Sequence, residues 1–127
     1  MSTVENDISY NIRGAAFKVH TALGPGLLES VYETALSYEL KQSGYDVKNQ
    51  VGVPMVYGNI KMDIGFRLDL LVNDLVIIEI KSVETLMDVH HKQLLTYLRL
   101  SGKKLGLLIN FNSASLKDSI VRIVNNL

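Results

Sequence analysis

The sequence predicts a mixed α/β domain, a sheet flanked by helices, with element order α-α-β-β-β-α-β-α. Three observations predict it. Apolar residues recur at three-and-four spacing up to Gly44, then alternate at period two from Tyr45 onward. Residues Arg67 to Lys81 read as two apolar strands about a tight polar turn. A helical pattern bracketed by strands follows, which implies a right-handed crossover and therefore parallel as well as antiparallel pairing.

The first helix is expected from about Glu5 to Leu23, with Ile8, Ile12, Ala15, Ala16, Val19 and Leu23 on one stripe. His20 lies beside that stripe, a position for a packed or surface histidine. LGPG at Leu23–Gly26 breaks the helix, and Pro25 suits the first turn of the next. That second helix, about Gly26 to Ser43, is expected to bury Leu28, Val31, Ala35, Leu36 and Leu40, with Gly44 as its stop. Glu29, Tyr32 and Glu33 fall within about one turn near its start, where a glutamate often only complements the helix dipole.

Asp46 to Val53 reads as a strand, and a Gly58-Asn59 turn leads into Ile60 to Val72. After the hairpin, Asp88 is placed to cap a helix from Val89 to Ser101, closed by Gly102. Leu94, Leu95 and Leu98 form its core stripe, while His90, Gln93 and Tyr97 share one edge. Lys104 to Phe111 reads as a buried strand. Ser115 would cap a last amphipathic helix bearing Leu116, Ile120, Ile123 and Val124.

The hairpin carries charges where a buried sheet does not tolerate them unpaired. FRLDLLV and LVIIEIK are nearly all apolar, yet hold Asp69, Glu79 and Lys81. Desolvating an unpaired carboxylate or ammonium costs several kcal/mol, so each needs a partner or a metal. Period two puts Glu79 and Lys81 on one face. A strict two-residue turn at Asn73-Asp74 would pair Val72 with Leu75 and send Asp69 to the other face. A three-residue loop or a bulge brings Asp69 round to Glu79, and Asp74 tolerates the left-handed backbone such a loop requires. Two carboxylates and a lysine then converge, either as a site or as a buried ion pair with no chemistry.

Composition bounds the rest. The 127 residues suffice for one domain, 1–127, with a real core, and 47% hydrophobic content with 20% charged residues is ordinary for a globular protein. There is no cysteine, which excludes disulfides, thiolate zinc sites and cysteine nucleophiles. MSTVENDISY is unlike a signal peptide, and no apolar run approaches membrane-spanning length, so an intracellular, cytoplasmic protein is expected. Net charge is zero, which argues against a strong non-specific grip on nucleic acid.

Asp69, then Glu79-Ile80-Lys81 on the next strand, then a helix and a strand, resembles the PD-(D/E)XK nuclease superfamily with its restriction-endonuclease-like fold. Gln93-x-x-x-Tyr97 resembles the extra motif of its RecB-like branch. Gly26-Leu-Leu-Glu29-Ser-Val-Tyr32 resembles the signature of the small GxxExxY family, as do LGPGLLESVYE, FRLDLLV, IEIKSVE, QLLTYL and LGLLINFN across nearly the whole chain. The proline of the superfamily's name is absent: Leu68 precedes Asp69.

The resemblance implies a nuclease that hydrolyses phosphodiesters of DNA with Mg2+ or Mn2+. Asp69, Glu79 and the Ile80 carbonyl would be metal ligands, hard oxygens suited to those ions, with Glu29 completing the site directly or through a water. Lys81 would position the attacking water or offset transition-state charge. Gln93 and Tyr97 would orient Lys81 or contact phosphate, and Arg67 would touch phosphate or neutralise the carboxylates. Tyr32 is expected to pack, and His90 to stand outside the chemistry. The alternatives are a nucleic-acid-binding or assembly module that keeps the fold without turnover, and a structural oligomer whose charges pair internally. With so few basic residues, gripping a duplex would need a homo-oligomer that pools them or a protein partner that delivers substrate.

Overall fold

The computed structural model describes residues 3–127. Helix α1 (Val4–Leu23) starts at Thr3, whose hydroxyl accepts from the Asn6 amide at 3.1 Å. Helix α2 (Glu29–Gln42) begins three residues later than its apolar pattern suggests, because Leu28 is still extended at φ −68°, ψ 150°. Gly44 follows in the left-handed region at φ 91°. Strands β1 (Val47–Tyr57) and β2 (Ile60–Val72) form a long antiparallel hairpin about Gly58-Asn59, with β1 running past the expected Val53. Strand β3 (Val76–Lys81) pairs antiparallel with β2, and α3 (Asp88–Ser101) crosses over to β4 (Leu105–Asn110), parallel to β3. Met87, not Asp88, is the cap of α3: its amide donates to His90 Nδ1 at 2.9 Å. His90 is thus occupied in starting the helix.

The last element differs from expectation. Residues Leu116–Ser119 make one 3-10 turn, and Ile120–Val124 is a strand, β5, antiparallel to β4. The helical stripe Leu116-Ile120-Ile123 is also satisfied by alternation. Two physical terms favour the strand: four of the five residues in IVRIV are β-branched, and β4, fully buried, would otherwise end the sheet with an unpaired edge. Ile120 packs with the α1/α2 layer while Val121 and Ile123 pack with the α3 layer.

The strands lie in sequence order, β1-β2-β3-β4-β5, in one five-stranded mixed sheet. On one face Ile8, Ile12, Tyr32, Leu36 and Leu40 meet Leu70, Ile78, Ile80 and Ile109. On the other, Leu94 and Leu98 meet Leu68, Leu71, Ile77 and Leu108. The helices bury fewer positions than their patterns suggest: Leu28, Val31 and Leu95 are exposed. Leu28 precedes the shortened α2, and the helices cover the sheet with narrower stripes than an all-apolar count implies. Among the described residues no helix is long and apolar enough to cross a membrane.

Candidate active site

The β2–β3 connection is a three-residue loop. Val72 pairs with Val76, leaving Asn73, Asp74 and Leu75 in the turn, with Asn73 (φ 51°) and Asp74 (φ 59°) both left-handed. That register runs Leu71 to Ile77 and Leu70 to Ile78, and the ladder stops there. Asp69 and Glu79 are the next opposed pair, at the fork where the strands part.

At the fork the backbone and side chains interlock. The Ile80 amide donates to Asp69 Oδ2 at 2.8 Å, and the Asp69 amide donates to Glu79 Oε1 at 3.3 Å. Glu79 is only 4% exposed. Burial, then the neighbouring Asp69 charge and a hydrogen bond between the two side chains, push its carboxyl up to about 9 from the usual 4.5. Nearby Lys81 opposes this as the smallest contribution. Lys81 forms no ion pair with either carboxylate; the ion pairs among the described residues are Lys18–Glu39, Lys92–Asp88 and Lys103–Asp74. A closed, internally neutralised Asp–Lys or Glu–Lys pair is therefore not what the hairpin builds.

Asp69 also sits at a reversal of the sheet's faces. On β2, Leu70 and Val72 face the α1/α2 layer, but Leu68, of the same parity, packs in the α3 layer. On β1, Val47 packs with α1/α2 and Val51, four residues on, with α3. The ladder pairs Asn49 with Leu70 and Val51 with Leu68 but skips Gln50 and Asp69, and Gln50 is left-handed at φ 51°. Both strands turn over at this step. The turn carries Asp69 out of strict alternation and into a cleft of about 530 Å³ that it shares with Glu29, Glu33, Gln50 and Ser82.

The other wall of the cleft is the start of α2. The Tyr32 hydroxyl donates to the Gly24 carbonyl at 2.6 Å and accepts from the Leu27 amide at 3.1 Å, while its ring stacks on Phe111 at 4.6 Å. Tyr32 is thus a fully buried peg that fixes the Gly24–Leu28 loop. Ser82 ties the same loop to the end of β3: its hydroxyl donates to Leu27 O at 2.6 Å, and its amide to Glu29 Oε1 at 3.4 Å. Buried Asn110 anchors the segment after β3 through the Val83 amide (3.1 Å) and carbonyl (2.9 Å).

From α3, Tyr97 packs on the same layer as Leu68 and Phe66 of β2, close enough to feel both carboxylates. Burial, then the charges of Glu79 and Asp69, raise its phenol above the usual value, and its ring stacks on Phe66 at 4.4 Å. Gln93 is exposed on the same helix edge and has no hydrogen-bond partner among the described residues. Arg67 is exposed; by alternation with Phe66 and Leu68 it points away from α3, toward the cleft side. His20 is remote, its Nε2 2.7 Å from the Ser113 carbonyl.

A family model described as the PD-(D/E)XK nuclease superfamily matches residues 6–123. The chain belongs to the PD-(D/E)XK nuclease superfamily. No curated protein and no solved structure matches it. The superfamily's nucleases typically use divalent metal ions and act on nucleic acid, and the five-stranded mixed sheet with three helices is consistent with its restriction-endonuclease-like fold. The donor set at the fork fits such an ion: two contacting carboxylates and backbone carbonyls are hard oxygen ligands. Among the described residues no three His, Cys, Asp or Glu side chains are gathered as a cage. Magnesium commonly accepts so small a set, taking its other ligands from water and substrate phosphate.

Sequence patterns missed Gln50, Ser82 and the part played by Glu33. Nothing in a glutamine or a serine marks a site, and the left-handed backbone at Gln50 is not a preference of that residue type. The interrupted pairing opposite Asp69 becomes visible only in the folded sheet.

Proposed function

We propose that this domain is a divalent-metal-dependent nuclease that hydrolyses phosphodiester bonds of DNA, and that it belongs to the small GxxExxY group within the RecB-like branch. The observation that carries the proposal is the Asp69–Glu79 pair at the β2–β3 fork, in a chain of this superfamily, with Lys81 on the same strand and no ion pair consuming its charge. Asp69, Glu79 and the Ile80 carbonyl would hold magnesium or manganese, with Glu29 contributing from across the cleft, directly or through water. When bound, the ion supplies charge stabilisation at the phosphate and a more acidic water. Lys81, on the Glu79 face, orients the attacking water or offsets charge on the phosphoryl oxygens. The Tyr97 hydroxyl, within electrostatic reach of both carboxylates, would orient Lys81 or donate to phosphate. Gln93 and Arg67, both exposed, would contact the substrate backbone.

The support for the branch and group is residue by residue: Gly26, Glu29 and Tyr32 for the GxxExxY signature, Gln93 and Tyr97 for the RecB-like motif. A basic surface adequate for duplex DNA would come from a homo-oligomer or a delivering partner, since the net charge is zero. The test is a cleavage screen of purified protein with manganese over single-stranded, duplex and flap DNA and over RNA. Cleavage of a DNA substrate that disappears on chelation and in Asp69→Asn supports the proposal. A wild-type protein that binds DNA yet cleaves nothing favours the non-catalytic binding module instead.

A further inference from the structure

We propose that Gln50 is a positioning residue that aims the Asp69 carboxylate, acting through a polar relay from α2 to β2; this rests on the nuclease reading above. Three observations meet at this position. Gln50 is the only left-handed residue within β1 (φ 51°), and the β1–β2 ladder is interrupted where it stands opposite Asp69. Its side-chain amide nitrogen lies 2.7 Å from Glu33 Oε1 and 3.4 Å from Asp69 Oδ1, so its two protons serve two carboxylates on different elements. Glu33 is held in turn by Asn49 Nδ2, which donates to its other oxygen at 3.2 Å, while Asn49 Oδ1 accepts from the buried Ser37 hydroxyl at 3.0 Å.

The relay therefore runs from the body of α2 through Glu33 and Gln50 to Oδ1 of Asp69, while Oδ2 is taken by the Ile80 amide. With one oxygen fixed by the backbone of β3 and the other by this amide, the carboxylate has one orientation. A left-handed backbone at a non-glycine residue is strained, and such strain persists where the surroundings over-determine it. Here the strain turns the glutamine toward the cleft and turns Asp69 with it. Residues that orient a metal-binding carboxylate characteristically change affinity or activity by about 10–100-fold when removed.

Gln50→Gly separates the side chain from the backbone, because glycine adopts φ 51° without penalty. The variant is expected to fold and to melt within a few degrees of wild type, the relief of strain offsetting the lost side-chain bonds, to bind manganese about tenfold more weakly by calorimetry, and to lose kcat with little change in KM. Glu33→Gln should do the same, and the Gln50→Gly/Glu33→Gln double variant should be no worse than either alone, since both break one relay. Gln50→Gly with wild-type manganese affinity and kcat would overturn the proposal and leave Gln50 a backbone hinge. Additive losses in the double variant would overturn the relay. If wild type itself binds no manganese and cleaves nothing, the nuclease reading fails and this inference falls with it.

Discussion

Glu79→Gln should make the metal-free domain more stable at neutral and alkaline pH. In the folded state the Glu79 carboxyl stays protonated to about pH 9, against 4.5 for an ordinary glutamate, through burial first and the Asp69 charge second. Between those values the folded protein holds a proton that the unfolded chain has released. Unfolding then gains ground as pH rises: the stabilising contribution is complete below 4.5 and is lost on rising through 9. The slope is about 1.4 kcal/mol per pH unit, so three units, from about pH 5 to 8, remove on the order of 4 kcal/mol. That is a large share of a stability of roughly 5–15 kcal/mol. Glutamine keeps the shape, stays neutral, and donates to Asp69 where the protonated carboxyl did. Urea unfolding in chelator across this range should show the wild-type midpoint falling with pH and the variant nearly level, with the variant ahead at about pH 8. Magnesium should restore wild type and leave the variant unchanged. Parallel pH profiles for the two proteins would refute the reasoning.

Lys81→Met should fold and retain manganese binding while turnover falls by about two orders of magnitude, the scale of losing one preorganised charge; single-turnover cleavage checks it, and wild-type rates would remove this lysine from the mechanism. Tyr32→Phe keeps the stack on Phe111 but loses both hydroxyl bonds to the Gly24–Leu28 loop, and thermal unfolding should report a loss of about 1–3 kcal/mol. Gly106→Ala places a methyl 2.9 Å from Leu94 Cδ1 in the α3 layer, and denaturant unfolding should show a loss of about 1–3 kcal/mol from overpacking.

Much of this architecture is written locally. The β-hairpins are legible because Gly58-Asn59 and Asn73-Asp74 are turn dipeptides between β-branched runs, and the latter's two left-handed residues suit Asn and Asp. The contact between Asp69 and Glu79 follows from the parity of a three-residue loop. The last strand was not legible, since LKDSIVRIV satisfies helical spacing as well as alternation, and only the otherwise bare edge of β4 decides between them. The start of α2 differs for a similar reason: Tyr32 pins Gly24 and Leu27 in a bent loop, and those bonds override the helix-starting pattern at Pro25. At the site, residue type marks Asp69, Glu79 and Lys81, charges that a buried sheet has to accommodate. It cannot mark Gln50, which stands at a reversal of both strands at one step, or Ser82, which is drawn to the cleft by its bonds to Leu27 and Glu29.

Manganese calorimetry on wild type and on an Asp69→Asn/Glu79→Gln double variant tests the proposed metal site most directly. Wild type should bind weakly alone and more tightly with a non-cleavable phosphodiester present, because the two carboxylates leave ligand positions for phosphate, and the double variant should bind in neither case. Equal affinity in the two proteins would contradict a metal site at the Asp69–Glu79 fork.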